Sequence, residues 1–349
     1  MTSPELQIQE NVRLAPLTTL GVGGSARYFC AVTSVEEVKQ AVIFARDRQL
    51  KLFVLGGGSN VVVADEGFNG LVLHVAILGI EDSPLAVLNV GGGVNWDEFV
   101  TFCVGRGYGG VECLSGIPGS VGGTPVQNVG AYGQEVSETI RSVLAFDLRE
   151  GRVRELKDNE CGFAYRSSIF NTGERGRHII LRVTYELRPE AEPLLRYADL
   201  QEYFAGHERK PSLSDVREAV LKIRASKGMV IDPNDPDSRS AGSFFKNPVL
   251  SADQYKRLSE KAAERRLKVP SYPALAQQSK VSAAWLVENS GFHKGYVKGR
   301  VGISNKHSLA IVNCGGATAA EVLALRDEIQ RRVDKTWGVR LQPEPVVVG

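Results

Sequence analysis

The feature that most constrains this chain is the stretch 112–133, ECLSGIPGSVGGTPVQNVGAYG. Its only ionised side chain is Glu112, and it contains six glycines: Gly116, Gly119, Gly122, Gly123, Gly130 and Gly133. Glycine loses the most backbone freedom on folding, so this stretch is a poor interior for a helix or strand. Its apolar residues argue against disorder, and long ordered loops are commonly functional. We therefore expect a binding loop, with an ordered surface loop as the alternative.

The composition of this loop indicates what it binds. Glycine allows positive φ and close backbone approach, so several N–H groups can converge on one anion. The loop adds uncharged polar side chains, namely Ser115, Ser120, Thr124, Gln127 and Asn128. A pyrophosphate joined to a flat ring with polar edges suits these partners, and a flavin dinucleotide is such a molecule.

A second glycine cluster supports this interpretation. Gly56-Gly57-Gly58-Ser59-Asn60 separates two strand-like segments, 52–55 and 61–63. We expect a phosphate-binding turn here, with a plain hairpin as the alternative. The G-x-G-x-x-A at Gly21 precedes a strand-like segment, which argues against a Rossmann fingerprint, and the chain has no G-K pair for a P-loop.

The totals exclude several classes of protein. With 42 basic and 40 acidic residues the net charge is +2, so a nucleic-acid or membrane footprint is not expected. No apolar run approaches a membrane span, and the N-terminus lacks a signal pattern. Five scattered cysteines and five histidines without ligand spacing predict reduced thiols and no metal site. We expect a cytoplasmic protein, monomeric, with small-molecule partners.

Local patterns predict several regular elements. Ser34 and Glu37 form a capping box before a helix, and Thr318 and Glu321 begin another that ends at Gly338. The segments 140–148 and 153–156 predict a β-hairpin.

Three basic residues are candidates for binding an anion. Arg166 follows Tyr165 among apolar residues, where a guanidinium needs a partner; a bound anion and a structural ion pair are equally compatible with that pattern. Arg224 and Lys227 close a predicted helix, where cations complement the helix dipole. A substrate diphosphate is the alternative partner for both.

The segment 241–248, AGSFFKNP, follows a linker-like run with two Asp-Pro pairs. It can hold the Ser243 hydroxyl rigidly, and it also contains Asn247. Near the C-terminus, Glu344 stands between two prolines in an apolar strand, either as an edge charge or as a site residue.

These motifs together resemble the bacterial UDP-N-acetylenolpyruvoylglucosamine reductases, over about residues 17–344. The shared motifs, in chain order, are GGGSN (56–60), CLSGIPGSVGG (113–123), NVGAYG (128–133), YRSSIF (165–170), AGSFFKNP (241–248) and PEP (343–345). LRYADL, around Tyr197, resembles the type I form of the family, in which a tyrosine on a mobile loop closes over the substrate.

The resemblance implies an α+β fold: a two-subdomain FAD-binding fold like that of vanillyl-alcohol oxidase, followed by a smaller α+β substrate-binding domain. The implied boundaries are 1–77 for the first FAD subdomain, with the C-terminal strand 338–349 returning to it, 78–225 for the second, and 226–337 for the substrate domain.

The resemblance also implies an FAD- and NADPH-dependent oxidoreductase of peptidoglycan and cell-wall synthesis. FAD would be held without a covalent bond, NADPH would reduce it, and the enolpyruvyl sugar nucleotide would become UDP-N-acetylmuramate. The implied cofactor-binding residues are Gly56, Gly57, Gly58, Ser59, Asn60, Ser115, Gly116, Pro118, Gly119, Gly122, Gly123, Asn128, Gly130, Ala131, Tyr132, Gly133 and Tyr165.

The reaction adds a hydride to the terminal methylene carbon of the enol ether, and a proton must reach the carbon beside the carboxylate. The resemblance assigns the proton to Ser243, with Arg166 and Glu344 assisting as catalytic residues. Tyr197, Arg224, Lys227 and Asn247 are the expected substrate-binding residues.

Two alternatives have different chemistry. A flavin oxidase of the same superfamily would pass electrons to oxygen, and it commonly tethers FAD through histidine or cysteine. A non-enzymatic protein could instead hold a UDP-sugar in the glycine loops.

Overall fold

The computed structural model describes residues 6–273 and 277–349, and none of their helices is both long and apolar enough to cross a bilayer. The helices are α1 (Val35–Asp47), α2 (Trp96–Gly105), α3 (Ala198–Phe204), α4 (Leu213–Ser226), α5 (Ala252–Glu264), α6 (Ala283–Glu288) and α7 (Ala319–Trp337). The strands are β1 (Gln9–Arg13), β2 (Ser25–Val32), β3 (Lys51–Leu55), β4 (Val61–Val63), β5 (Phe68–Val75), β6 (Ile80–Ser83), β7 (Val87–Gly91), β8 (Tyr108–Gly109), β9 (Gly130–Ala131), β10 (Gln134–Glu135), β11 (Ile140–Asp147), β12 (Arg152–Lys157), β13 (His178–Glu186), β14 (Arg188–Pro189), β15 (Ser240–Ser243), β16 (Val249–Leu250), β17 (Ser271–Pro273), β18 (Ser279–Val281), β19 (Val297–Lys298), β20 (Val301–Ile303), β21 (Ala310–Asn313) and β22 (Val346–Val348).

The chain forms two compact units. The first contains the described residues up to Arg13, with Ser25–Gly58 and Phe68–Val230. The second contains Leu14–Gly24, Ser59–Gly67 and the described residues from Ile231 onward. The mixture of helices and sheets in both units agrees with the expected α+β class. The finer division at residues 77, 225 and 337 stays a prediction.

The first unit contains two larger sheets. One has the order β1-β2-β5-β3, with β2 and β3 parallel to β5, and the apolar side of α1 shares a core with it. The other is antiparallel, with the order β12-β11-β13-β7-β6, and its core contains Trp96, Phe99 and Tyr185. The predicted hairpin is confirmed as β11 and β12. Of the predicted capping box, the Ser34 hydroxyl accepts from Glu37 N–H, but the Glu37 carboxylate accepts from Thr33 instead of Ser34 N–H.

The second unit is built around α7 and the sheet β15-β21-β20-β19. Val322, Leu325 and Ile329 on α7 are buried in its core. The predicted ends of this helix are confirmed: Thr318 caps it, and Gly338 has a φ of +68° that favours glycine.

The turn 56–60 is not a hairpin. The strand before it, β3, pairs with β5 in the first unit, whereas the strand after it, β4, pairs in parallel with β22 in the second. The hairpin alternative is therefore wrong, because the two flanking strands enter different sheets. The glycine turn is also the point at which the chain passes from one unit to the other.

Asp147, the last residue of β11, accepts hydrogen bonds that stabilise the end of the β11–β12 hairpin. It is fully buried, it accepts two hydrogen bonds of 3.0 and 2.7 Å on Oδ2 from Arg177, and its Oδ1 accepts from Arg149 N–H. The Arg177 guanidinium and the backbone donors hold the pKa of this carboxyl far below its usual range.

We expect Asp147→Asn to lower the free energy of unfolding by about 1.5–3 kcal/mol near pH 7, since charge-assisted hydrogen bonds are lost. A carboxyl whose pKa is depressed on folding stabilises the protein above its unfolded pKa of about 4, and the stabilisation is lost as the pH falls. Denaturant unfolding of both proteins between pH 7 and 3 measures this. A difference that stays constant across that range would contradict the assignment.

Candidate active site

Two glycine loops of the first unit meet backbone to backbone. A β-carbon built on Gly57 would lie 2.5 Å from Gly119 Cα, and one built on Gly56 would lie 2.9 Å from Ser120 Oγ. Gly122 packs on the turn after β7, where its N–H donates to Gly92 O at 2.8 Å. Only glycine permits this approach, because a side chain on Gly57 would overlap the backbone of the other loop. The two predicted cofactor loops therefore lie in direct backbone contact.

Ser120 carries a polar atom that needs a partner. Its hydroxyl oxygen is buried and has no hydrogen-bond partner among the described residues. Buried polar groups in folded proteins are almost always hydrogen-bonded. A hydroxyl in a glycine cradle is a suitable donor to a phosphate oxygen, so the residues present fit the pyrophosphate of a dinucleotide.

Asp97, in the first turn of α2, fixes the position of the glycine stretch. Its Oδ1 accepts from Gly116 N–H at 2.5 Å, and its two oxygens bind the Arg217 guanidinium at 2.7 Å each. Burial opposes its charge, but these donors lower the pKa of the carboxyl overall. Sequence reasoning missed Asp97 and Arg217, because a charge at a helix start is usually only a dipole partner.

Arg224 lies next to the same loop, on α4. Its side chain is buried, with 9% of the residue exposed, and its Nη2 donates to Met229 O at 2.7 Å. Its Nε has no hydrogen-bond partner within the described part of the chain, and it lies 3.5 Å from the position of a β-carbon on Gly116. Burial lowers the pKa of this guanidinium. Tyr132 and Asp97 oppose this effect of burial, so the buried Nε is the group of this side chain that is left for a ligand to bind.

Lys227 and the two predicted tyrosines form a cluster of their own. Lys227 Nζ binds Asp199 Oδ2 at 2.8 Å and lies 5.7 Å from the ring centre of Tyr132. The Tyr132 ring packs edge-on against Tyr197, which caps α3 and is 42% exposed. Burial opposes the ammonium charge, but Asp199 and Tyr132 hold the pKa of Lys227 above its ordinary value. Asp199 had not been expected here.

Arg166 occupies a strained turn. Its φ is +53°, and Ala164 and Ser167 exchange both backbone hydrogen bonds across it at 3.0 Å. Its Nη2 donates to Gly130 O at 2.6 Å, and its guanidinium carbon lies 5.3 Å from the Tyr165 ring centre. Non-glycine residues at positive φ cluster at functional sites.

The loop beside Arg166 also contains non-glycine residues with positive φ. Asn128 and Tyr132 have φ values of +46° and +48°. The Asn128 amide donates to Glu135 Oε2 at 2.8 Å and to Ala164 O at 3.2 Å, which ties the NVGAYG loop to the arginine turn. The other predicted cofactor residues of the first unit lie nearby in sequence. Ser115 donates to Glu112 O, Gly130 and Ala131 form β9, Gly123 ends a 3-10 turn, and Gly58, Pro118 and Gly133 lie in loops.

Ser243, Asn247 and Glu344 belong to the second unit, as do Ser59 and Asn60. Glu344 N–H donates to Phe244 O at 2.9 Å, so the acid and the serine are on adjacent backbones. Asn247 Oδ1 accepts from Ala283 N–H at 2.9 Å, and Asn60 Nδ2 donates to Glu344 O at 3.4 Å. Ser243 Oγ lies 3.1 Å from His307 Nε2. Sequence reasoning had missed His307, because it stands 64 residues from the serine.

Both parts of the chain are similar to known flavoprotein sequences. Residues 26–157 match the model of an FAD-binding domain, and residues 233–348 match the C-terminal domain of UDP-N-acetylenolpyruvoylglucosamine reductase. The reductase of that name from Thermobifida fusca is 48% identical over 97% of both chains. That of Streptomyces coelicolor is 44% identical over 100% of this chain and 92% of the other.

This chain belongs to the UDP-N-acetylenolpyruvoylglucosamine reductase family. A crystal structure of the family, from Thermus caldophilus, agrees with a TM-score of 0.68 at 27% identity and covers 99% of this chain and 100% of the other. The expected family, the FAD-binding fold class and the cofactor FAD are confirmed. The chain is an FAD-dependent oxidoreductase of peptidoglycan synthesis, which excludes the non-enzymatic alternative and favours a reductase over an oxidase.

We expect Gly57→Ala to weaken FAD binding by about tenfold or more, because the new methyl group meets the Gly119 backbone and neither loop can yield without moving the cradle. Gly173→Ala is the control, since a β-carbon there meets nothing within 4 Å. The readout is the Kd of FAD for the apoproteins, from flavin fluorescence. Equal affinity in the two variants would show that the Gly57–Gly119 contact does not shape the site.

Proposed function

We propose that this enzyme reduces UDP-N-acetyl-3-O-(1-carboxyvinyl)-glucosamine to UDP-N-acetylmuramate with electrons from NADPH. The family supports the substrate, and one contact supports the chemistry: Glu344 N–H donates to Phe244 O at 2.9 Å, which fixes an acid and the Ser243 strand side by side. The test is an anaerobic titration. NADPH should bleach the flavin, and the enolpyruvyl sugar nucleotide should restore its colour.

FAD, when bound, supplies the hydride for the methylene carbon. The chain must then provide a proton for the neighbouring carbon, and Ser243 Oγ–H is the proposed donor. A hydroxyl is a weak acid in water, but a carbanion-like centre is a strong base, so the transfer depends on fixed geometry. The edge pairing of β15 with β21 gives Ser243 that fixed position.

Arg166 and Glu344 are proposed to act on the substrate carboxylate and the charge that develops there. A planar guanidinium can meet a carboxylate through two donors and stabilises negative charge where it forms. Arg166 is prepared for this, because its turn, its bond to Gly130 O and its contact with Tyr165 fix its direction before substrate arrives.

Arg224, Lys227, Tyr197 and Asn247 are the proposed partners of the sugar nucleotide. Lys227 already has an anionic partner in Asp199, so a diphosphate would join or replace that pair. We further propose that FAD is held without a covalent bond, and that the chain is a monomer in the cytoplasm. Denaturation should release the yellow cofactor, and sedimentation should give the mass of one chain.

Ser243→Ala should bind FAD and be reduced by NADPH at a normal rate, but it should lose product formation by about 10²–10⁴-fold, because the proton donor is absent. Stopped-flow absorbance separates the two half-reactions. Ser238→Ala, which removes a hydroxyl near the same strand, should leave the second half-reaction within about twofold. Normal turnover by Ser243→Ala would remove this serine from the mechanism.

Lys227→Ala should raise the KM for the sugar nucleotide by about tenfold or more, with FAD content unchanged, if the ammonium binds the diphosphate. The matched control is Lys222→Ala, on the same helix, where the lysine pairs with Glu218 at the surface. Steady-state kinetics at several NADPH concentrations give the comparison. An unchanged KM in Lys227→Ala would leave the lysine with only its structural bond to Asp199.

A further inference from the structure

Proton donation by Ser243 leaves a problem that the serine alone does not solve. A hydroxyl that gives its proton to carbon becomes an alkoxide, which is far more basic than any group at neutral pH. The step becomes favourable only if a second group stabilises that oxygen or returns a proton to it. This inference rests on the proposed role of Ser243.

The second unit places one such group against the hydroxyl. Ser243 ends β15 and is paired across the sheet with Ala310 on β21. His307 lies in the turn that leads from β20 into β21, and its Nε2 is 3.1 Å from Ser243 Oγ. The serine and the imidazole therefore meet at the same end of one sheet.

The backbone holds the histidine in this place. Ser304 is fully buried, and its hydroxyl oxygen accepts from the N–H groups of Lys306 at 3.0 Å and His307 at 3.2 Å. The turn closes with Ser304 N–H donating to Ala310 O at 2.9 Å and Ala310 N–H donating to His307 O at 3.1 Å. The turn thus fixes the backbone from which the imidazole reaches the serine, and only its side-chain torsions remain to be set.

We propose that His307 is a positioning residue that directs the Ser243 hydroxyl at the substrate and returns its proton. In this arrangement protonated Nε2 donates its hydrogen to Oγ, so the Oγ–H bond points elsewhere, toward the substrate carbon. The O–H bond of the serine then breaks as the C–H bond forms, and the Nε2 proton moves to Oγ. The imidazolium becomes neutral imidazole, the serine is regenerated, and solvent returns one proton to His307 before the next turnover.

The turn that carries His307 also contains charged side chains with partners of their own. Lys306, the nearest cation in sequence, is paired with Asp235 at 2.8 Å. Asp237 accepts from Asn305 N–H at 2.8 Å in the same turn, and Glu344 lies on the backbone beside Phe244. Return of a proton to the serine rests on the 3.1 Å contact between Ser243 Oγ and His307 Nε2 and on the turn that fixes the histidine backbone.

The test measures the two half-reactions separately in His307→Gly and His307→Gln. Reduction of the flavin by NADPH should stay within about twofold of the unmodified enzyme in both. Reoxidation by the enolpyruvyl sugar nucleotide should fall by about 10²-fold or more, the usual contribution of general acid–base groups. Added imidazole should restore reoxidation in His307→Gly, since a free imidazole can occupy the space and pass a proton, but it should not restore Ser243→Ala.

Two comparisons make the outcome decisive. His293→Gln, at an exposed histidine whose Nδ1 lies 2.8 Å from Lys294 O, should reoxidise normally. If His307→Gly does not retain flavin, His307→Gln alone carries the test. Reoxidation of His307→Gln at the normal rate, or failure of imidazole to rescue a folded His307→Gly, overturns the proposal. If Ser243→Ala loses reoxidation while the His307 variants reoxidise at the normal rate, only the role of the histidine is rejected. If Ser243→Ala itself reoxidises at the normal rate, the serine is rejected as the proton donor.

Discussion

The close contact between Gly57 and Gly119 is the constraint on which the flavin-binding unit depends. It lets two loops from distant parts of the chain approach more closely than side chains would allow, beside the buried Ser120 hydroxyl that has no hydrogen-bond partner among the described residues. Charge plays almost no part in this cradle. The protein instead places its charges at the edge, where Asp97 holds Gly116 N–H and Arg224 lies buried beside the loop.

The two units supply different kinds of group. The first offers fixed cations, Arg166 and Arg224, whose geometry is set by strained backbone and burial. The second offers groups that can move a proton, Ser243 with His307, on the edge of a small sheet. An oxidoreductase that must hold a polyanionic substrate and deliver one proton needs both kinds of group.

Much of the architecture was predictable from local chemistry. Ser34, Thr318 and Gly338 mark helix ends through hydrogen bonds and a backbone angle that depend only on near neighbours, and all three are confirmed. The irregular backbone of 112–133 was predictable for the same reason, because six glycines make this stretch a poor helix or strand; that it holds the cofactor stays a prediction. The hairpin alternative at 56–60 failed because strand pairing is decided by distant partners, β5 and β22.

The sequence by itself determined the family and several helix ends, since these follow from motifs and residue types at short spacing. Only the tertiary structure decided which polar groups share a site. Arg224 could have been only a dipole partner, and the structure shows it buried beside Gly116, with an Nε that has no hydrogen-bond partner within the described residues. His307 had no distinguishing pattern, and a sheet register brings it to Ser243 across 64 residues, because antiparallel pairing depends on the fold of the whole unit.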